Sequence, residues 1–222
     1  MKQIAMKDPL LITDICGTLY KSNTTYDFYR YYFSKHHKVK YIYFMLLMSL
    51  PAKVLYVLLS KSGLSLQKLR YYLIGLIENE SVEKVEVTAK IFFEQYLKKR
   101  VIPETEVLIM QSNRLIFSSA SVAPVVSLIA EKYNAMAYFA TTLEVKNGKY
   151  TGKILQDNQG KKAKHLLASD WSSQIKNATF ITDNKEDVDL LRRVERPIVV
   201  SASKELSFWK KTEIPALEII LK

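Results

Sequence analysis

Apolar and polar positions divide the chain into short strand-like runs and longer helical ones. Leu10-Leu11-Ile12 is an apolar run that breaks abruptly at Asp14, with Gly17 and Thr18 in the turn beyond it, so a strand is expected to deliver a carboxylate into a loop. Residues 26–40, aromatic and basic and free of Gly and Pro, read as a helix. The next stretch, 41–59, is almost wholly apolar; Lys53 is its single charge and Pro51 lies in its middle. A bilayer-spanning helix needs about 20 such residues. Pro51 divides the run into two pieces of about ten, which suits a pair of packed helices better, with an interfacial hairpin or a membrane span as alternatives. Leu66, Leu69, Leu73, Leu76 and Ile77 then repeat at helical spacing. Val82, Val85, Val87, Ile91, Phe92 and Tyr96 continue an apolar face after a break at Gly75 and Glu78 to Ser81. Everything from Lys21 to Arg100 therefore reads as an all-helical insertion.

Beyond Pro103 the period changes. Residues 114–119 predict a second strand ending in hydroxyls, 123–133 a helix, and 137–140 a third strand. Asn147-Gly148, flanked by 143–146 and 149–153, is a hairpin signal. A helix over 162–169, a strand over 178–183 ending in Asp183, a helix over 186–194 and a last strand over 197–201 complete the order. Strands alternating with helices predict an α/β protein with a Rossmann-like parallel sheet and helices on both faces. The core is then 1–20 with 101–222, and the helical cap is 21–100.

Composition narrows the possibilities. Lys and Arg outnumber Asp and Glu by 33 to 22, a net charge of +11, which favours anionic partners. Cys16 is the one cysteine, which excludes an internal disulfide and a multi-cysteine metal site and suits a reducing cytoplasm. No export signal is visible in the first residues, and no nucleic-acid recognition motif accompanies the charge.

In a parallel sheet the strand ends carrying Asp14, Ser119 and Asp183 share one edge, and Asp187 follows four residues after Asp183. Converging carboxylates repel one another unless a cation intervenes, and oxygen ligands of this kind suit Mg²⁺ together with phosphate. Lys161, Lys162 and Lys164 after Gly160 supply an ammonium at the start of a helix. Phosphoryl transfer fits these parts.

Four segments in order resemble the haloacid dehalogenase superfamily, in its phosphoserine-phosphatase-like branch with a helical cap. They are Asp14-Ile15-Cys16-Gly17-Thr18-Leu19, Phe117-Ser118-Ser119-Ala120-Ser121, Gly160-Lys161-Lys162-Ala163-Lys164 and Thr182-Asp183-Asn184-Lys185-Glu186-Asp187. The hairpin over 143–152 resembles a segment that this branch carries between its second and third motifs. The resemblance implies that Asp14 is a nucleophile passing through an aspartyl phosphate. It implies that Ser119, Ala120 and Thr18 lie on the substrate side, with Ser118 and Ser121 as alternatives to Ser119. It further implies Lys162, in preference to Lys161 or Lys164, as the charge-steadying lysine. Mg²⁺ would be held by Asp14, Asp183 and the backbone carbonyl of Cys16, with Asp187 as a direct or more distant partner.

One position departs from the family. Phosphatases of this kind carry a second Asp two residues after the nucleophile, where this chain has Cys16. A thiol with a reference pKa of ~8.5 is a poor acid and base at neutral pH, and loss of such a group costs about 10² to 10⁴ in rate. Slow turnover, His165 as substitute, or a leaving group that needs no proton would reconcile the two; Cys16 as nucleophile is a further alternative. The expected function is a Mg²⁺-dependent phosphohydrolase acting on a phosphorylated small molecule or a lipid-like substrate, in the cytoplasm or at the inner face of the membrane. The rival is a catalytically impaired protein of the same fold that binds a phosphorylated ligand or partner.

Overall fold

The computed structural model describes residues 8–51, 54 and 65–222. Its sheet has seven strands in the order β4-β3-β2-β1-β5-β6-β7. These are β1 (Leu11–Thr13), β2 (Leu115–Val122), β3 (Ala137–Lys146), β4 (Lys149–Gln156), β5 (Thr179–Thr182), β6 (Arg196–Ser201) and β7 (Glu218–Leu221). All neighbours are parallel except β3 and β4, which form an antiparallel pair. The central strand β1 pairs with β2 on one side and β5 on the other, so its end lies in the middle of the sheet edge.

The short strands are apolar at consecutive positions because both faces are covered. Leu11, Phe117, Ile181 and Val200 face one core, packed against α1 (Thr24–His36), α4 (Val82–Gln95) and α6 (Ala123–Lys132). Ile12, Ile116, Phe180 and Val199 face the other, against Leu166 of α7 (Lys162–Leu167), Leu190 and Leu191 of α8 (Val188–Leu191) and Trp209 of α9 (Leu206–Lys211). The α/β class with helices on both faces is as expected.

Between β1 and β2 the described residues are helical, apart from short turns: α1, α2 (Lys38–Met48), α3 (Leu66–Gly75), α4, a 3₁₀ turn over Leu97–Arg100 and α5 (Pro103–Met110). The insertion closes at a narrow neck. Lys21 N donates to Arg100 O at 2.7 Å, Ile102 N donates to Leu19 O at 2.8 Å, and Tyr20 bridges Val101.

Several boundaries differ from expectation, each for a local reason. The helix expected over 26–40 breaks at His37 (φ −147°, ψ 85°), whose Nε2 lies 2.8 Å from Glu80 Oε1, and α2 starts afresh at Lys38. The apolar run 41–59 is broken at Ser49, which is extended, before Pro51 is reached; its second half, residues 52–53 and 55–59, lies outside the described residues. Among the described residues no helix is long and apolar enough to cross a membrane. The third strand and the first arm of the hairpin are one continuous strand, β3. The polar pair Thr141-Thr142 disguised its continuity, because Thr141 is fully buried and hydrogen-bonds Ala120 O at 2.9 Å and Asp157 Oδ1 at 3.1 Å. The helix expected over 186–194 shrinks to a 3₁₀ turn and α8. Strand β7 was not anticipated; Glu213 and Ala216, both at positive φ, turn the chain into it.

Candidate active site

Asp14 follows β1 directly and is 3% exposed. Its backbone N donates to Ile181 O at 2.9 Å, which pins it between the two strand ends. One carboxylate oxygen accepts from Ile15 N at 2.6 Å and the other from Lys162 Nζ at 2.6 Å. The loop beyond it is closed by Leu19 N and Tyr20 N, which donate to Ile15 O at 3.0 and 3.1 Å.

Lys162 enters from the first turn of α7 and is 2% exposed, whereas Lys161 and Lys164 point to solvent. Its ammonium bridges Asp14 Oδ2 and Asp187 Oδ2, both at 2.6 Å. Burial works against its charge, but the two carboxylates override this and hold the ammonium above the ordinary lysine range. Asp187 also accepts from Thr182 Oγ1 at 2.6 Å, and burial pushes its carboxyl upward. It therefore grips Lys162 from behind and does not line the cavity.

Asp183 stands at the next strand end. Its N–H donates to Thr18 Oγ1 at 2.9 Å, Thr18 Oγ1 donates back to Oδ1 at 3.3 Å, and Lys222 Nζ donates to Oδ2 at 2.9 Å. Burial and the charge of Asp14 push the Asp183 carboxyl up, as expected for two carboxylates sharing one crevice. Gly17, at φ +67°, lets them meet: a Cβ there would lie 1.9 Å from Asp183 Oδ2. Asp14, Cys16, Gly17 and Asp183 line a cavity of about 680 Å³, to which the insertion contributes Tyr26 and Arg70.

A model of the haloacid dehalogenase-like hydrolases matches residues 11–192. The chain belongs to that family. Its fold is that of phosphoserine phosphatases. A substrate-bound phosphoserine phosphatase complex superposes with a TM-score of 0.60 at 17% identity, covering 96% of this chain and 93% of that one. A protein of unknown function from Bordetella pertussis Tohama I gives 0.77 at 17% identity, with 96% and 98% covered. Cytosolic 5'-nucleotidase IIIB bound to cytidine gives 0.61 at 11% identity, with 96% and 80% covered. Comparison with curated proteins returned no match.

In this haloacid dehalogenase-like hydrolase, the atypical Cys16 is tied down by hydroxyls. Its Sγ lies 2.9 Å from both Thr24 Oγ1 and Ser121 Oγ and accepts from Thr24 N at 3.3 Å, and the two hydroxyls also contact each other. Burial and the Asp14 charge push the thiol up, so it stays protonated at neutral pH. A thiol in that state is a weak acid and no nucleophile. His165, the expected substitute, hydrogen-bonds Asn158 Oδ1 at 2.8 Å through Nδ1 and does not line the cavity. Ser119 is fully buried, with its hydroxyl directed to Ser121 Oγ at 3.2 Å; Ala120 lines the cavity instead.

Sequence reading missed a second layer. Arg70 of α3 places Nη1 at 3.0 Å from both oxygens of Asp157 and donates through Nη2 to Ala120 O at 3.0 Å and Thr141 Oγ1 at 3.2 Å. Burial alone would raise the Asp157 carboxyl, but Arg70 and the surrounding hydrogen bonds hold it below its ordinary value. Asn158, fully buried, donates to Ser119 O at 3.0 Å and Phe139 O at 3.2 Å and so ties β2 to β3. The signal available was Asp157-Asn158 itself, a polar pair between a strand and the turn at Gly160.

The donor set fits a hard divalent cation. Two carboxylates face one cavity, one raised by burial and by the other's charge, and Mg²⁺ binds through one or two carboxylates while keeping its waters. Among the described residues no three His, Cys, Asp or Glu side chains cluster closely enough to hold a metal by themselves, so water, the substrate or a backbone carbonyl must complete any shell.

Proposed function

We propose that the chain is a Mg²⁺-dependent phosphohydrolase in which Asp14 is the nucleophile. A carboxylate at the end of the central strand, fixed by Ile15 N and Lys162 and open to a cavity shared with Asp183, carries this reading. Asp14 attacks phosphorus, the ester oxygen leaves with its electron pair, and water then cleaves the aspartyl phosphate to regenerate the carboxylate and release phosphate. Lys162 holds Asp14 in place and offsets charge that builds on the phosphoryl oxygens, while Asp187 and Thr182 keep the ammonium aimed. Mg²⁺, held by Asp14, Asp183 and the carbonyl of Cys16, would supply electrostatic stabilisation of the phosphoryl group.

Because Cys16 stays a thiol, the leaving oxygen departs without an efficient proton donor. Esters with acidic leaving groups are therefore the better substrates. The helical insertion acts as a cap over the cavity through Tyr26 and Arg70, and its apolar, basic character fits a phosphorylated amphiphile met at the cytoplasmic face of the membrane. The purified protein with Mg²⁺ is expected to hydrolyse an aryl phosphate and to act slowly on alkyl phosphates. Cys16→Asp should raise the alkyl rate by about 10² to 10⁴. Asp14→Asn or chelation of Mg²⁺ should silence both. Aryl hydrolysis that survives Asp14→Asn would remove Asp14 as nucleophile. Silence of the wild type with activity in Cys16→Asp would instead favour a natural role in binding a phosphorylated ligand without turnover, a reading that the hydroxyl-locked thiol supports.

A further inference from the structure

Helix α2 is apolar on the wrong side. Phe44 points into the core, yet Val39, Ile42 and Leu46 form a stripe at spacings of three and four residues that is 81, 60 and 62% exposed, and Leu50, just past the break at Ser49, is 75% exposed. A helix that is hydrophobic all round is ordinarily buried in protein or in lipid. The exposed surface continues onto α3, where the Tyr43 and Tyr72 hydroxyls meet at 2.9 Å and Leu66 is exposed. Charge completes the pattern. The fifty residues from Phe28 to Ile77 contain eight Lys or Arg and no Asp or Glu.

We propose that this α2/α3 face is a docking surface for an anionic lipid bilayer, with the apolar stripe entering the acyl boundary and exposed Lys35 and Lys38, at the junction of α1 and α2, meeting the headgroups. Charge selects this occupant. A second copy of the chain would bring an equally basic face against the first, and a nucleic acid would leave the Ile and Leu side chains without a partner. Arg70, on the same helix as Tyr71 and Tyr72, lines the catalytic cavity, so a docked molecule holds that cavity close to the surface. Docking here deepens the amphiphile-directed chemistry proposed above and rests on it for its purpose only. Vesicle binding is read without turnover, so its failure leaves Asp14 standing, and loss of turnover leaves binding standing.

The test is co-sedimentation of the full chain with vesicles of phosphatidylglycerol and phosphatidylcholine, against phosphatidylcholine alone. Binding is expected on the anionic vesicles and should weaken as salt rises. The exposed double variant Ile42→Glu/Leu46→Glu should lose about tenfold or more of the bound fraction while keeping its Tm and its hydrolysis of a soluble aryl phosphate. Val107→Glu, an exposed apolar position at 52% on α5, and Asp14→Asn should bind like wild type. Equal binding by the double variant, no binding by the wild type, or a dimer in solution that the double variant converts to monomer would each overturn the proposal.

Discussion

At the scale of single residues, the site depends on one missing side chain. Gly17 combines a left-handed backbone (φ +67°) with contact against the Asp183 carboxylate, so Gly17→Ala faces both a conformational cost of about 1–2 kcal/mol and a clash at 1.9 Å. Gly148 has a similar φ of +71° but open space around it, so Gly148→Ala isolates the conformational part. In a phosphatase assay Gly17→Ala is expected to lose about 100-fold or more, because displacing Asp183 by an ångström misplaces the reacting groups, while Gly148→Ala keeps its rate. Lys162 shows what sequence alone leaves open. Three lysines compete within four residues, and the phase of a one-and-a-half-turn helix decides which of them is buried against Asp14.

At the scale of elements, Glu80 fastens the helices of the insertion to one another and to the hairpin. Its carboxylate accepts from Tyr32 at 2.7 Å and lies 2.8 Å from His37, 3.3 Å from Lys40 and 3.5 Å from Lys84; its carbonyl accepts from Tyr150 N at 3.0 Å. Burial would raise the carboxyl, but the donors outweigh it and pull it down to about 2. A depressed folded-state value means stability that is fully present above the unfolded value of 4.5 and lost as pH falls toward 2. Tm measured from pH 5 to pH 2.5 is expected to fall less steeply in Glu80→Gln than in wild type, with the variant already lower at pH 7.

The elements that sequence disclosed are those whose neighbours do not alter their pattern. Continuous apolar runs announced β1, β2, β5 and β6, and Asn147-Gly148 announced the turn between β3 and β4. The break at His37 was invisible because a side chain from Glu80, more than forty residues away, makes it. Strand β3 was read as two pieces because Thr141 is polar for a partner, Asp157, that only the folded chain supplies. The strand-end carboxylates could be found because parallel topology puts all such ends on one edge. The Arg70 and Asn158 layer could not, since nothing local distinguishes a buried Arg on an amphipathic helix from an exposed one.

Across the whole molecule, the Arg70 and Asp157 pair binds the helical insertion to the sheet beside the cavity. Their side chains are 7 and 4% exposed. Removing one partner strands a buried charge, so Arg70→Met is expected to lower stability by about 3–5 kcal/mol in urea unfolding. Arg70→Met/Asp157→Leu should recover most of that loss, because an apolar pair leaves no charge behind.

The neck at Lys21 and Arg100 bears on the order in which the protein can fold. Leu11 must find Leu115 to seat the central strand, and a flexible chain of that length makes the encounter entropically expensive. If the insertion folds on its own first, its ends already meet at the neck, and the loop that β1 must close shrinks from about 100 residues to about 20. On loop-closure statistics that saves about 1.4 kcal/mol of encounter entropy. In that order of events the neck would let a chain with a long-range central strand assemble with the kinetics of a shorter one.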